Sequence, residues 1–132
     1  MSLGVFDIGG TTVKHGIWEH QQLSPVNAFP TPVTFDELLR NMAEIIRDAK
    51  RPLTGIAISA PGAVDQEKRK ILGISAVPYI HQRPIFDEFE QQLGLPVTIE
   101  NDANCAGIAE VELGVGREAQ NIAFVVLGTG VG

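Results

Sequence analysis

This chain is nearly free of cysteine. Cys105 stands alone among 132 residues, which excludes an internal disulfide and suits a reducing compartment. No run of Lys and Arg is long enough to offset a net charge of −6 and a pI near 4.9. A surface of that sign repels nucleic acid and anionic membranes, so neither is an expected partner. Lys68-Arg69-Lys70 is the one basic cluster, Glu67 precedes it, and it reads as a solvated loop. No apolar run reaches the roughly 18 residues of a membrane helix. The N-terminus has no basic region ahead of an apolar core and enters a strand at once, so a cytoplasmic protein is expected. His15, His20 and His81 are scattered without metal-ligand spacing and read as surface or strand residues. Internal repeats and low-complexity tracts are missing too.

What remains is good folding material, 44% apolar and 20% charged, at a length that suits one domain. Residues 3–8, 12–19 and 23–29 read as strands, with turns at Gly9-Gly10 and at Glu19 to Gln22. Pro25, Pro30 and Pro32 break and end the third run. Residues 34–50 read as a helix, because Phe35, Leu38, Leu39, Met42, Ile45, Ile46 and Ala49 recur on one face. Thr34 and Glu37 form a capping-box pair at its start, and Pro52 closes it. A short buried strand at 55–59 ends at Pro61-Gly62. Residues 63–83 read as irregular, with a short hairpin around Ile71 to Ile74. A second helix at 84–93 ends at Gly94, followed by a strand at 97–100, a helix at 102–113 that holds Cys105, and an apolar strand at 121–127. Hairpin-joined strands followed by alternating strands and helices predict a mixed α/β sheet. Trp18, at the end of a strand, reads as a core or interface residue.

The chemistry concentrates in Asp7-Ile8-Gly9-Gly10-Thr11-Thr12-Val13-Lys14. A Gly-Gly turn between two strands lets backbone amides approach an anion without a Cβ in the way. Thr11 and Thr12 add hydroxyls and Lys14 adds a positive charge. Asp7 repels phosphate but suits a hydrated Mg2+ beside it. Alone, such a turn is more often just a hairpin. Two more stretches carry polar groups at loop positions: Glu100-Asn101-Asp102-Ala103-Asn104 at a strand-to-helix junction, and Leu127-Gly128-Thr129-Gly130-Val131-Gly132 after the last strand. On residue type alone, a helix N-cap is the favoured role of Asp102.

Taken together these stretches resemble the ROK family of sugar kinases and repressors (repressor, open reading frame, kinase). The order matches: a DxGGTxxK loop, then Ser59-Ala60-Pro61-Gly62, then ENDAN, then GTGVG, over essentially the whole chain. The resemblance implies one lobe of the actin-like ATPase (ribonuclease H-like) fold, with nucleotide in a cleft between two lobes. It implies ATP and Mg2+ as cofactors and a sugar as substrate. Asp7, Gly9, Gly10, Thr11, Thr12 and Lys14 would serve phosphate and metal, with Asp7 meeting Mg2+ through water. Gly128, Thr129 and Gly130 would form the second phosphate loop. Asp102 would be the general base and, with Asn101 and Gly62, bind the sugar. The family's structural zinc belongs to the other lobe, and its members are commonly homodimers. The chain reads as an N-terminal lobe, residues 1–132, with the C-terminal lobe missing and no activity expected of it alone. The alternative is a sugar-sensing regulator of the same family. The early first strand leaves no room for its DNA-binding domain, and the intact phosphate loop favours ATP use.

Overall fold

The computed structural model describes residues 2–102. The expected helix beyond Asp102, the strand at 121–127, Cys105, Asn104 and the Gly128-Thr129-Gly130 loop lie outside the described residues. Six described strands form one sheet. β1 (Ser2–Ile8) lies at its heart, antiparallel to β2 (Thr12–Glu19) on one side and parallel to β5 (Gly55–Ala60) on the other. β8 (Val97–Asn101) runs parallel to β5. The run expected at 23–29 is two short strands, β3 (Gln22–Leu23) and β4 (Asn27–Pro30), both paired to β2. Pro25 between them has no N–H to give a ladder, so one continuous strand cannot form.

The parallel strands need crossovers, and two helices supply them. α1 (Phe35–Arg47) starts where the sequence expects: the Thr34 hydroxyl accepts the Glu37 N–H at 3.2 Å. It stops sooner than the sequence suggests. Asp48 caps it, and Lys50, at φ 60°, turns the chain out of helical geometry before Pro52. α2 (Ile85–Leu93) ends on Gly94 in the left-handed conformation at φ 74°, its N–H bonded to Glu90 O at 2.9 Å. Leu38 and Met42 of α1 and Phe86 and Phe89 of α2 pack with Phe6, Ile8, Ile56, Ile58 and Ile99 of the sheet. Trp18 is buried, as core packing requires.

Between β5 and α2 lies a small hairpin, β6 (Ala63–Asp65) with β7 (Lys70–Leu72), earlier in the chain than the expected 71–74. Its turn is set by Asp65, whose Oδ1 accepts the Lys68 N–H at 3.0 Å, and by Arg69 at φ 56°. Arg69 is not a solvated loop residue. It pairs with Asp87 and Glu90 of α2 and lies 4.9 Å over the Phe86 ring. One helical turn, Pro78–Ile80, then leads to His81, which is buried rather than at the surface or in a strand.

Candidate active site

Strands β1, β5 and β8 are parallel, so their C-terminal ends share one edge of the sheet, the edge at which open α/β sheets hold ligands. Near that edge the register sets four polar residues in a lateral row: Lys14 opposite Asp7, Asp7 opposite Ser59, Ser59 opposite Glu100. Side chains at paired positions lie on one face. Sequence spacing groups Asp7 with Lys14, but Ser59 and Glu100 join them only through the pairing of distant strands. Asn101 and Asp102 follow Glu100, Asn101 ending β8 and Asp102 in helical conformation directly after it.

The row is electrostatically tense. Burial pushes the Asp7 carboxyl above the ordinary carboxylate range, and the charge of Asp102 adds to the rise. A hydrogen bond with Ser59 and the Lys14 ammonium oppose it. Ser59 is itself buried. Burial also raises Glu100, against the backbone N–H of Asn101, and Gln66 Nε2 reaches its Oε1 at 3.1 Å. Two carboxylates, Asp7 and Asp102, thus feel one another with a single nearby ammonium. A cation is the group that relieves such a pair. Among the described residues no three His, Cys, Asp or Glu gather to cage a metal directly. The donor set fits Mg2+, which keeps several waters and takes one or two carboxylates beside phosphate oxygens.

The turn beside this row is built tightly. Gly9 N–H donates to Thr12 O at 3.0 Å, Thr31 N–H to Thr11 O at 2.9 Å, and the Thr31 hydroxyl to Gly9 O at 2.6 Å. The Gly9 amide is therefore spent on the turn, whereas the amides of Gly10 and Thr11 have no backbone partner among the described residues. Neither Gly9 nor Gly10 has a positive φ. Their lack of a side chain answers close approach instead: a Cβ on Gly10 would meet Ala76 Cβ at 2.8 Å. The loop after β7 packs on the phosphate-type turn, a contact that spacing cannot reveal.

Gly62 is accounted for in the same way. It has φ +105°, and a Cβ there would lie 2.6 Å from His81 Cε1 and 2.9 Å from Leu72 O. That side is filled by the chain itself, so any ligand meets Gly62 through its backbone. Gly62 O accepts a hydrogen bond from Asn101 Nδ2, which joins the SAPG loop to the end of β8. A groove of about 470 Å³ lies elsewhere, between α1 and α2, lined by Phe35, Arg40, Arg83 and Glu88 among others, and none of these candidate residues faces it. Gly128, Thr129 and Gly130 lie outside the described residues. No described helix is long and apolar enough to cross a membrane.

The ROK family model matches residues 3–132. The chain is 35% identical over 134 residues to the β-glucoside kinase of Listeria monocytogenes, an alignment covering 100% of this chain and 45% of that protein. A ROK family protein from Streptococcus pneumoniae, solved in complex with sucrose, superposes with a TM-score of 0.76 at 36% identity, over 89% of this chain and 39% of that one. A ROK family glucokinase from Streptomyces griseus, in complex with glucose and AMPPNP, gives 0.73 at 27% identity, over 89% and 38%. This chain thus spans less than half the length of each. Its mixed sheet and helices are those of the actin-like ATPase (ribonuclease H-like) fold that these neighbours share. This chain belongs to the ROK family.

Proposed function

We propose that residues 1–132 are the N-terminal lobe of an ATP-dependent sugar kinase, with Asp102 as general base. The observation that carries this reading is the convergence of Asp7, Lys14 and Asp102 at one edge of the sheet, close enough for the two other charges to act on Asp7. In the reaction a sugar hydroxyl oxygen bonds to the terminal phosphorus of ATP, the bond to the bridging oxygen breaks, and ADP leaves. Asp102 takes the hydroxyl proton as the bond forms. Asn101 holds the sugar, its amide being able to donate and accept as a polyol requires. Gly62 adds backbone contact on that side. Lys14, Thr11, Thr12 and the Gly9-Gly10 turn steady the polyphosphate, through the amides of Gly10 and Thr11 and the charge of Lys14. Mg2+, when bound, supplies positive charge to the phosphate oxygens, and Asp7 would hold it through water. Gly128, Thr129 and Gly130 would close on the phosphates from the other side.

Two supports stand behind the assignment: the names of the relatives, a β-glucoside kinase and a glucokinase seen with glucose and AMPPNP, and the charge pattern of the row. Kinases of this kind close two lobes to exclude water, so residues 1–132 alone should not turn over. The test is ADP release by the full-length protein with ATP, Mg2+ and a panel of hexoses, amino sugars and β-glucosides. Release with one sugar, lost in Asp102→Asn, is the expected result. Binding of a sugar without ADP release in any case would sink the kinase reading and leave a sensor.

A further inference from the structure

Among the described residues His81 is the one buried ionisable side chain, 9% exposed, and the proposed transfer chemistry leaves it unused. Its Nε2 lies 2.7 Å from Ser75 Oγ, and that oxygen also accepts the Val77 N–H at 3.1 Å. Its other ring nitrogen, Nδ1, is buried and has no hydrogen-bond partner among the described residues. An unpartnered buried nitrogen is unfavourable. A ring placed only to fill space would carry no such penalty if it were apolar. The imidazole is therefore held for its geometry. Its Cε1 edge lies flush against Gly62, in the space a Cβ would need. Gly62 O is the acceptor that fixes the Asn101 side-chain amide. Ser75, His81, Gly62 and Asn101 come from three separate segments, the loop after β7, the loop after β5 and the end of β8.

We infer that His81 is a positioning residue of the sugar site: pinned by Ser75, it backs Gly62, sets the direction of the Gly62 carbonyl, and so orients the Asn101 amide toward a sugar hydroxyl. The inference rests on the proposed role of Asn101 in sugar binding. It separates the two halves of the site. The phosphate turn meets the same loop at Ala76, beside Gly10, but Asp7, Lys14 and Gly9-Gly10 are not links in the chain from Ser75 through His81 and Gly62 to Asn101, so disturbing His81 should weaken sugar binding more than nucleotide binding.

The experiment is calorimetric titration of the full-length protein with glucose, methyl β-glucoside and N-acetylglucosamine, and separately with AMPPNP and Mg2+. His81→Ala should weaken the sugar that binds wild type about five- to tenfold, the worth of one well-placed hydrogen bond. AMPPNP affinity should stay within about twofold, the ordinary scatter of uncoupled sites. Ser75→Ala keeps the ring and the filled core. It should weaken the same sugar by a smaller factor, and it answers the question if His81→Ala does not fold. Equal weakening of sugar and nucleotide, or sugar affinity unchanged in Ser75→Ala and in any folded His81→Ala, would overturn the inference. So would a wild-type protein that binds none of the three sugars, since Asn101 would then have no sugar to hold. ADP release measured on the same samples keeps the two readings apart: a sugar bound selectively through His81 without ADP release removes the kinase and leaves this inference standing.

Discussion

Gly62→Ala and Gly73→Ala should differ in cost, and the difference measures how tightly the SAPG loop is packed. Both glycines have positive φ, +105° and +87°, so alanine strains the backbone at each. That strain is about 1–2 kcal/mol. The surroundings differ. At Gly73 an added Cβ meets nothing within 4 Å. At Gly62 it meets His81 Cε1 at 2.6 Å, Ile71 Cγ2 at 2.7 Å and Leu72 O at 2.9 Å, and two of these belong to buried side chains that cannot swing into solvent. Overpacking of that kind adds about 1–3 kcal/mol, which brings Gly62→Ala to roughly 2–5 kcal/mol. Urea unfolding of the full-length protein, followed by circular dichroism, reads both. With a slope of about 2 kcal/mol per molar, Gly73→Ala should lower the midpoint by roughly 0.5–1 M and Gly62→Ala by roughly 1–2.5 M. If Gly62→Ala cost no more than Gly73→Ala, His81 and the β6–β7 hairpin would not be pressed against the loop. The positioning argument for His81 would then lose its footing.

Four further outcomes follow from the same geometry. Asp7→Asn should raise stability at pH 7 and abolish ATP-dependent turnover. The folded carboxyl titrates above its unfolded value, so its contribution is fully present below the unfolded pKa and lost as pH rises through the folded one, and the substitution should change little near pH 3. Thermal melts at the two pH values check it, and a loss of stability at pH 7 would count against a half-buried, charge-opposed Asp7. Asp102→Asn should lower kcat by about 10²–10⁴ with sugar affinity retained, read by ADP release and calorimetry together. Thr34→Ala should cost about 1 kcal/mol, since the Glu37 N–H loses its acceptor at the start of α1, and urea titration reads it directly. Met42→Ala, at a fully buried position between α1 and the sheet, should cost about 2–5 kcal/mol in the same assay.

The sequence announces its elements through punctuation. Gly9-Gly10, Pro61-Gly62 and Gly94 each fall where a strand or helix ends, and the strands expected at 3–8, 12–19, 55–59 and 97–100 are found, the run at 23–29 only as two short pieces. It says less where a boundary depends on a partner. The β6–β7 hairpin was expected around Ile71 to Ile74, yet it turns at Asp65 to Arg69, because Arg69 finds Asp87, Glu90 and the Phe86 face on a helix far along the chain. Local composition could show a basic triplet but not its docking site. The candidate site divides along the same line. Asp7 and Lys14 face one another across a hairpin, a pairing that two strands and a short turn dictate. Ser59 and Glu100 enter their row only through parallel register, and His81 meets Gly62 only through packing. No spacing rule connects residues 59, 81 and 100. The sequence reads His81 as a surface or strand residue, and only its burial against Gly62 reveals it.

The distribution of strain across the molecule bears on where the site is, independently of motif. Away from the strand ends most local rules are kept: Thr34 caps α1, Gly94 closes α2 in the left-handed conformation with open space around it, Phe89 and Met42 fill the core, and the positive φ of His20, Gln21, Lys50 and Arg69 falls in turns and bends. At the C-terminal edge of the parallel strands they are broken repeatedly. A half-buried Asp7 sits against the charge of Asp102, His81 buries a nitrogen with no partner among the described residues, and Gly62 is held at φ +105° with no room for a Cβ. Each departure is unfavourable by itself, and departures of this kind persist where surrounding structure over-determines them, most often at binding sites. Their convergence on one edge would be an odd outcome of folding alone, because nothing in the core requires a carboxylate or an imidazole there. It follows naturally if that edge is shaped for phosphate charge on the Asp7 side and for hydroxyl groups on the Asn101 side, with the strain offset when the ligands bind.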